Sequence, residues 1–347
     1  MKHQPNGILS TALCELLGCD VPILLAGMGG VSRWELAAAV AKAGGFPTLG
    51  MVREAPELIE REVAALRAAT DRPFAVNLIP AATDPDLLDA QITRCLALGV
   101  GMFVFFWDVV PQAVQRVKAA GCLVLHQVGT VAAARQAEAA GADVLIAQGI
   151  EAGGHVHGRT GAFALAGEVL RDARVPVVVS GGIADGAGLA AALAMGAAGV
   201  HCGTAFLATE ESFAHPFHKQ RIVAATAAET VLTDVFVLNW PAGSAVRVLG
   251  NSVTAALGDR LMGHDPDALP REVIAWDGEV ALLRYSTDSP LRTTTGDLEA
   301  MPLYAGQGAG LIRDVVPAAV RLQRMASEAA ECLHRICNPG KAKGGKS

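Results

Sequence analysis

The sequence predicts an α/β protein, a (β/α)8 barrel of the TIM type with an additional C-terminal substructure. Three observations predict it. An alanine-rich stretch ending in glycine recurs at Ala43-Gly44-Gly45-Phe46, Leu98-Gly99-Val100-Gly101, Ala120-Gly121-Cys122, Ala140-Gly141-Ala142-Asp143 and Met195-Gly196-Ala197-Ala198-Gly199. Glycine tolerates the left-handed dihedrals that close a helix, so each phrase marks a helix end. Eight mostly unbroken apolar runs can be set among these ends, the pattern of parallel strands covered on both faces. Eight is also the number that closes such a barrel, while an open doubly wound sheet is the competing use of the same grammar.

In chain order the strands are expected at 23–26, 46–50, 74–78, 102–106, 123–127, 144–148, 175–180 and 199–203. Amphipathic stretches such as 56–70 and 131–140 have the length to be the covering helices. These units fill residues 1–228, the ligand-binding barrel core. Residues 229–303 carry more Thr, Asp, Arg and Pro with less regular periodicity, and read as an added α/β or helical substructure near the barrel mouth. Residues 304–337 read as a segment and helix packing back on the barrel, with helical period over 309–336 through Leu311, Val315, Val316, Ala319, Val320 and Met325. The basic, glycine-rich tail at 338–347 is expected to be disordered.

Composition narrows the function classes. Hydrophobic residues make up 52% and charged residues 18%, enough for a large buried core. Lys+Arg 28 against Asp+Glu 34 gives a net charge of −6, and no basic stripe argues for nucleic acid. The longest run of apolar and glycine residues, 187–200, falls short of the roughly 20 residues that a membrane span needs. The N-terminus lacks the apolar core of a signal peptide. Seven cysteines, with no CxxC pair, read as reduced thiols, so a cytoplasmic location is expected.

In such barrels the active site lies at the carboxyl ends of the strands. The first strand runs into Ala26-Gly27-Met28-Gly29-Gly30, the third ends at Asn77 and the fifth at His126-Gln127. The seventh ends in Ser180-Gly181-Gly182 and the eighth in Gly203-Thr204. Loops after the last two strands commonly build a phosphate site, because glycine lets backbone N–H groups approach the oxygens. Thr204 adds a hydroxyl, whereas Asp185 reads as a helix N-cap. Asn77, Gln127 and Gln148 are amide ends to apolar strands. They suit the alternating carbonyl and N–H edge of a flavin ring, or could bond one another across the barrel top. Met28 and Trp107 could pack on a ring face, and Trp107 reads equally as ordinary wall.

The loop after the sixth strand holds the chemical candidate. In Glu151-Ala152-Gly153-Gly154-His155, two glycines precede a histidine able to take or give a proton near neutral pH. His157 is a second candidate. A metal reading of this pair lacks a third ligand, and nothing resembles a Ser-His-Asp triad, a Walker loop or a dinucleotide fingerprint.

These residues resemble the nitronate monooxygenase family, formerly called 2-nitropropane dioxygenases. The resemblance covers about 22–212 and the closing stretch 304–311. Its most specific pieces are Glu151 to His155, Ser180-Gly181-Gly182-Ile183-Ala184-Asp185-Gly186 and Gly203-Thr204-Ala205-Phe206-Leu207-Ala208-Thr209-Glu210-Glu211. The resemblance implies FMN as cofactor and oxidation of alkyl nitronates or nitroalkanes, with O2, to carbonyl compounds and nitrite. It makes His155 the base and gives Gly181, Gly182 and Gly203 to the phosphate. Ala26, Gly27, Met28, Asn77, Gln127, Gln148, Gly154, Ser180 and Thr204 complete the expected cofactor contacts. Flavin-type enoyl-acyl-carrier-protein reductases share the Glu-Ala-Gly-Gly-His motif, and some similar barrels reduce quinones with NADH. An NAD(P)H-dependent reductase is therefore the alternative. A non-catalytic flavin-binding protein and a cofactor-free aldolase or epimerase stand lower; the first needs no positioned base, and the second lacks its usual lysine or paired acids. Relatives place glycine two positions after the histidine, where this chain has His157. A small-molecule substrate is the expected partner, with NAD(P)H and a homodimer left open.

Overall fold

A computed structural model describes residues 7–338. The tail expected to be disordered lies outside the described residues from Pro339 onward. The glycine phrases do what their chemistry predicts: Gly44, Gly99, Gly121, Gly141 and Gly196 have φ between +69° and +109°. Each ends a helix and releases the chain into a buried strand.

The strands are β1 (Ile23–Leu25), β2 (Thr48–Gly50), β3 (Ala75–Leu78), β4 (Met102–Phe105), β5 (Leu123–Val128), β6 (Val144–Gln148), β7 (Gly154–Val156), β8 (Val177–Ser180) and β9 (Gly199–Cys202). Eight of them form one sheet in the order β1-β9-β8-β6-β5-β4-β3-β2, and every pairing in it is parallel. The two ends of this order meet at Phe46. Its N–H donates to the Ile23 carbonyl at 3.0 Å, and the Leu25 N–H donates to the Phe46 carbonyl at 2.9 Å. The sheet is thereby a (β/α)8 barrel. Proline opens several covering helices, as at Pro56–Ala69 and Pro85–Ala97, where its missing N–H leaves no hydrogen bond unmade.

β7 is the exception to the expected pattern. Sequence reading left this stretch as a loop after β6, yet it pairs antiparallel with β11 (Ala245–Leu249), which in turn pairs with β10 (Thr230–Thr233). A second small sheet orders β12 (Val273–Asp277), β13 (Val280–Leu283) and β14 (Thr294–Gly296) as β13-β12-β14. Residues 230–303 thus hold five strands and one short α-helix, at Ser252–Leu257.

The helical period expected over 309–336 begins later, at Ala318–Cys337. Pro317 caps that helix, and proline disfavours helical dihedrals in the residue before it. Upstream, Gln307–Leu311 forms a tight 3-10 turn.

Candidate active site

Side chains along a strand alternate between faces, and this alternation decides what reaches the barrel mouth. Leu24, Ala75, Val104, Leu125, Ile146 and Val178 form one buried cluster with Leu13 and Leu17 of the helix Ala12–Leu17. Two residues further along those strands stand Ala26, Asn77, Phe106, Gln127, Gln148 and Ser180. All of these line one cavity of about 380 Å³. That volume falls in the usual range for small-molecule sites, roughly 300–1,000 Å³. Gly27, Met28, Gly154, His155, Gly181, Gly182, Gly203 and Thr204 line the same cavity, so it gathers His155 and every expected cofactor contact, while the candidates His157 and Trp107 stay outside its lining.

The amides differ in how they are used. Asn77 donates Nδ2 to the Val104 carbonyl at 3.0 Å. Gln148 donates Nε2 to the His155 carbonyl at 2.9 Å and accepts the His157 N–H at 3.4 Å, so its amide holds β7 in place. Gln127 makes no side-chain hydrogen bond among the described residues, and its amide remains free at the cavity wall. Asp185 is an N-cap, accepting the Gly188 N–H at 2.9 Å. Such a cap is worth about 1 kcal/mol.

One side of the cavity is floored by glycine. Gly181 and Gly182 have φ of +107° and +73°, backbone conformations that favour glycine. Gly203, Thr204, Gly306 and Gly308 line the cavity with them. The Thr204 hydroxyl accepts the Gly306 N–H at 2.9 Å and retains its proton to donate. A Cβ on Gly306 would stand 2.7 Å from the Glu151 carbonyl oxygen, so only glycine permits this approach.

The Glu151 to His155 segment is clasped from both sides. The Glu151 carboxylate accepts the Ala162 N–H at 2.8 Å at the start of the next helix, and the Gln307 N–H donates to the Glu151 carbonyl at 2.9 Å. Gly154, at φ +74°, then turns the chain into β7, where His155 lies opposite Val246. The His155 ring stacks on Trp240, with centroids 3.7 Å apart and planes at 24°. Trp107 meets it edge-on at 6.0 Å, and Tyr304 lies at 6.0 Å. Its Nε2 is buried without a hydrogen-bond partner among the described residues. Burial, reinforced by the Arg53 guanidinium, pushes the His155 pKa down to about 3. The imidazole is therefore neutral at neutral pH and weakly basic.

His157 stays outside the cavity lining. It sits 4.8 Å from the Trp107 ring, with Nε2 2.9 Å from Asp108. Trp107 is wall, buried behind His155 rather than lining the cavity, and it holds a left-handed φ of +74°. Sequence reasoning missed Arg53, His201, Trp240, Tyr304, Gly306 and Gly308 as lining residues. His201 was findable: it stands on β9 in register with Ser180, two residues beyond Gly199. Its Nδ1 lies 3.2 Å from the Ser180 hydroxyl, and its Nε2 is buried without a partner among the described residues. Arg53 and Trp240 carry no comparable local signal. Among the described residues there is no group of His, Cys, Asp and Glu side chains able to hold a metal ion, and no helix long and apolar enough to cross a membrane.

A parallel eight-stranded barrel with a lined cavity at the carboxyl ends of its strands defines the class of (β/α)8 barrel enzymes. Within that class the chain belongs to the nitronate monooxygenase family, whose model matches residues 10–327. It is 33% identical to a nitronate monooxygenase of Paraburkholderia phytofirmans, over 94% of this chain and 98% of that protein. Among solved structures it is similar to FabK from Thermotoga maritima, with TM-score 0.80 and 31% identity, covering 95% of this chain and 99% of that one. It is also similar to a nitroalkane oxidase from Streptomyces ansochromogenes, with TM-score 0.76 and 33% identity over 94% and 100% of the two chains. The chain is accordingly a flavin-dependent oxidoreductase of this family.

Proposed function

We propose that this chain binds FMN and oxidises alkyl nitronates, using O2, to carbonyl compounds and nitrite. The observation that carries the reading is the pairing of a glycine floor with an unpartnered imidazole in one cavity. The residues fit the cofactor. N–H groups of Gly181 and Gly182, with the Thr204 hydroxyl, suit the phosphate. The free Gln127 amide, the Asn77 amide and the unpartnered His201 Nε2 suit the polar edge of the ring. Bound FMN would supply the electron acceptor, while the protein supplies orientation and proton handling.

His155 has two tasks in this reading. Toward a neutral nitroalkane it takes the α-proton. Toward a nitronate, already ionised, it needs only to orient the anion and exclude water. Its lowered pKa favours the second task, because a weak base removes a carbon-bound proton slowly. Arg53, lining the same cavity, adds attraction for an anion. The expected substrates are therefore nitronates first and nitroalkanes second.

The test is the absorbance spectrum of the purified protein, followed by anaerobic addition of a propyl nitronate and, separately, NADH or NADPH. Bleaching of the flavin by nitronate supports the proposal. Rapid bleaching by a nicotinamide with no response to nitronate replaces it with a reductase, the reading that the likeness to FabK favours. A colourless protein that takes up no FMN removes both.

A further inference from the structure

We propose that Trp240 is the specificity-determining residue of this site: by lying flat on His155 it keeps water off the imidazole Nε2 and so favours substrates that arrive already ionised. This deepens the nitronate reading and rests on His155 being its base. Trp240 comes from the connection between β10 and β11, far from the motif that carries His155. It is 9% exposed. One contact is the stack on His155; another is the Arg53 guanidinium, 5.1 Å from the indole centroid. Trp240 Nε1 and His155 Nε2 are both buried without a hydrogen-bond partner among the described residues, beside a stack that covers one face of the imidazole.

The neighbouring residue anchors the cover. The Asn239 carbonyl accepts from Arg53, and its Oδ1 accepts the Thr287 N–H at 2.8 Å and hydroxyl at 2.7 Å. Its Nδ2 donates to Asp288 at 3.2 Å. Asn239, next to Trp240, is thus pinned to two separate stretches of chain.

The groups packed about His155 come from four elements. Arg53 follows β2, Trp107 follows β4, Tyr304 lies in the closing segment, and His157 lies just after β7 with its Nε2 at Asp108. Burial holds the Tyr304 phenol un-ionised, and it donates to the Thr287 carbonyl at 2.8 Å. Arg53 is thus the cation acting on His155, and it opposes protonation in the same direction as burial. Removing the indole admits water, stabilises the imidazolium and strengthens the base. Neutral nitroalkanes gain from that change, whereas nitronates have no proton to lose.

The experiment compares Trp240→Ala, Trp240→Leu and Trp240→Phe with the parent protein, each loaded with FMN. Two readouts are taken: the kcat/KM ratio of nitroethane to ethyl nitronate across pH, and the rate of His155 carbethoxylation by diethyl pyrocarbonate, located by peptide mass. In the Ala and Leu variants the ratio rises roughly threefold to thirtyfold, as expected when the base strengthens by one or more pKa units. The acid limb for nitroethane moves upward in pH toward the ordinary histidine range, and His155 labels faster. The Phe variant, which keeps an aromatic face, behaves like the parent. Unchanged ratio and unchanged labelling in both Ala and Leu overturn the inference. If the parent oxidises neither compound, the proposed function falls. Labelling then decides the cover by itself, with faster modification upholding it and an unchanged rate overturning it.

Discussion

Replacing Gly181 by alanine separates backbone strain from ligand binding. Gly181 has φ +107°, and a Cβ there would stand 3.1 Å from the Ala152 nitrogen and 3.2 Å from the Gly149 oxygen. Left-handed dihedrals cost an L-residue about 1–2 kcal/mol. Both close neighbours are backbone atoms of the loop leading to His155, so relief requires the turn itself to move. Gly196 supplies the control, with φ +93° and nothing within 4 Å of its built Cβ, at a helix end outside the cavity lining. Gly181→Ala and Gly196→Ala should both lose about 1–2 kcal/mol of stability. Only Gly181→Ala should weaken FMN. Losing one charge-assisted hydrogen bond of about 1.5–3 kcal/mol raises the Kd roughly tenfold to 150-fold. Deflavinated protein titrated with FMN, followed by quenching of flavin fluorescence, measures the Kd, and thermal denaturation measures the strain. Equal FMN affinity in the two variants would refute the assignment of the glycine floor to phosphate.

Three further outcomes follow from the same geometry. His155→Ala should keep the yellow cofactor and slow neutral nitroalkanes by about 10²-fold or more, the usual scale of a lost general base, with a smaller effect on nitronates; equal loss on both substrates in steady-state assays counts against a proton-taking role. Gly153→Ala would set a Cβ 2.4 Å from the Gly306 nitrogen. It should displace the loop carrying His155 and lower kcat, and an unaltered kcat together with an unaltered Tm shows that the clasp does not position the base. Stability should also fall in mild acid. Burial lowers His126, His201 and His218 from 6.5 to about 4 each. The folded state thus disfavours their protonation, so their contribution is complete above pH 6.5 and lost as pH drops toward 4. Each histidine contributes a slope of about 1.4 kcal/mol per pH unit in that window. Urea midpoints that stay level between pH 7 and 5 contradict this burial.

Much of the barrel was legible because its signals are local. A glycine at a helix end needs only its own dihedrals, and a parallel strand between two covered faces shows as an unbroken apolar run. Knowing that the mouth lies at the strand ends then pointed to Asn77, Gln127, Gln148 and Ser180, each two residues beyond an inner-core position. The same step applied to β9 reaches His201.

The sequence by itself determined the eight βα units, the end of the barrel that carries the cavity, the glycine turns after β8 and β9, and the histidine beside them. Only the tertiary structure decided what surrounds that histidine. Its loop became a strand because β11, some ninety residues later, offered a free edge. Trp240, Arg53 and Tyr304 reached it from three other segments. The physical reason is the range of the interactions. Caps, turns and apolar periodicity act over a few residues and leave a readable trace. Ring stacking, edge pairing and the burial of the His155 Nε2 depend on groups brought together by the completed barrel.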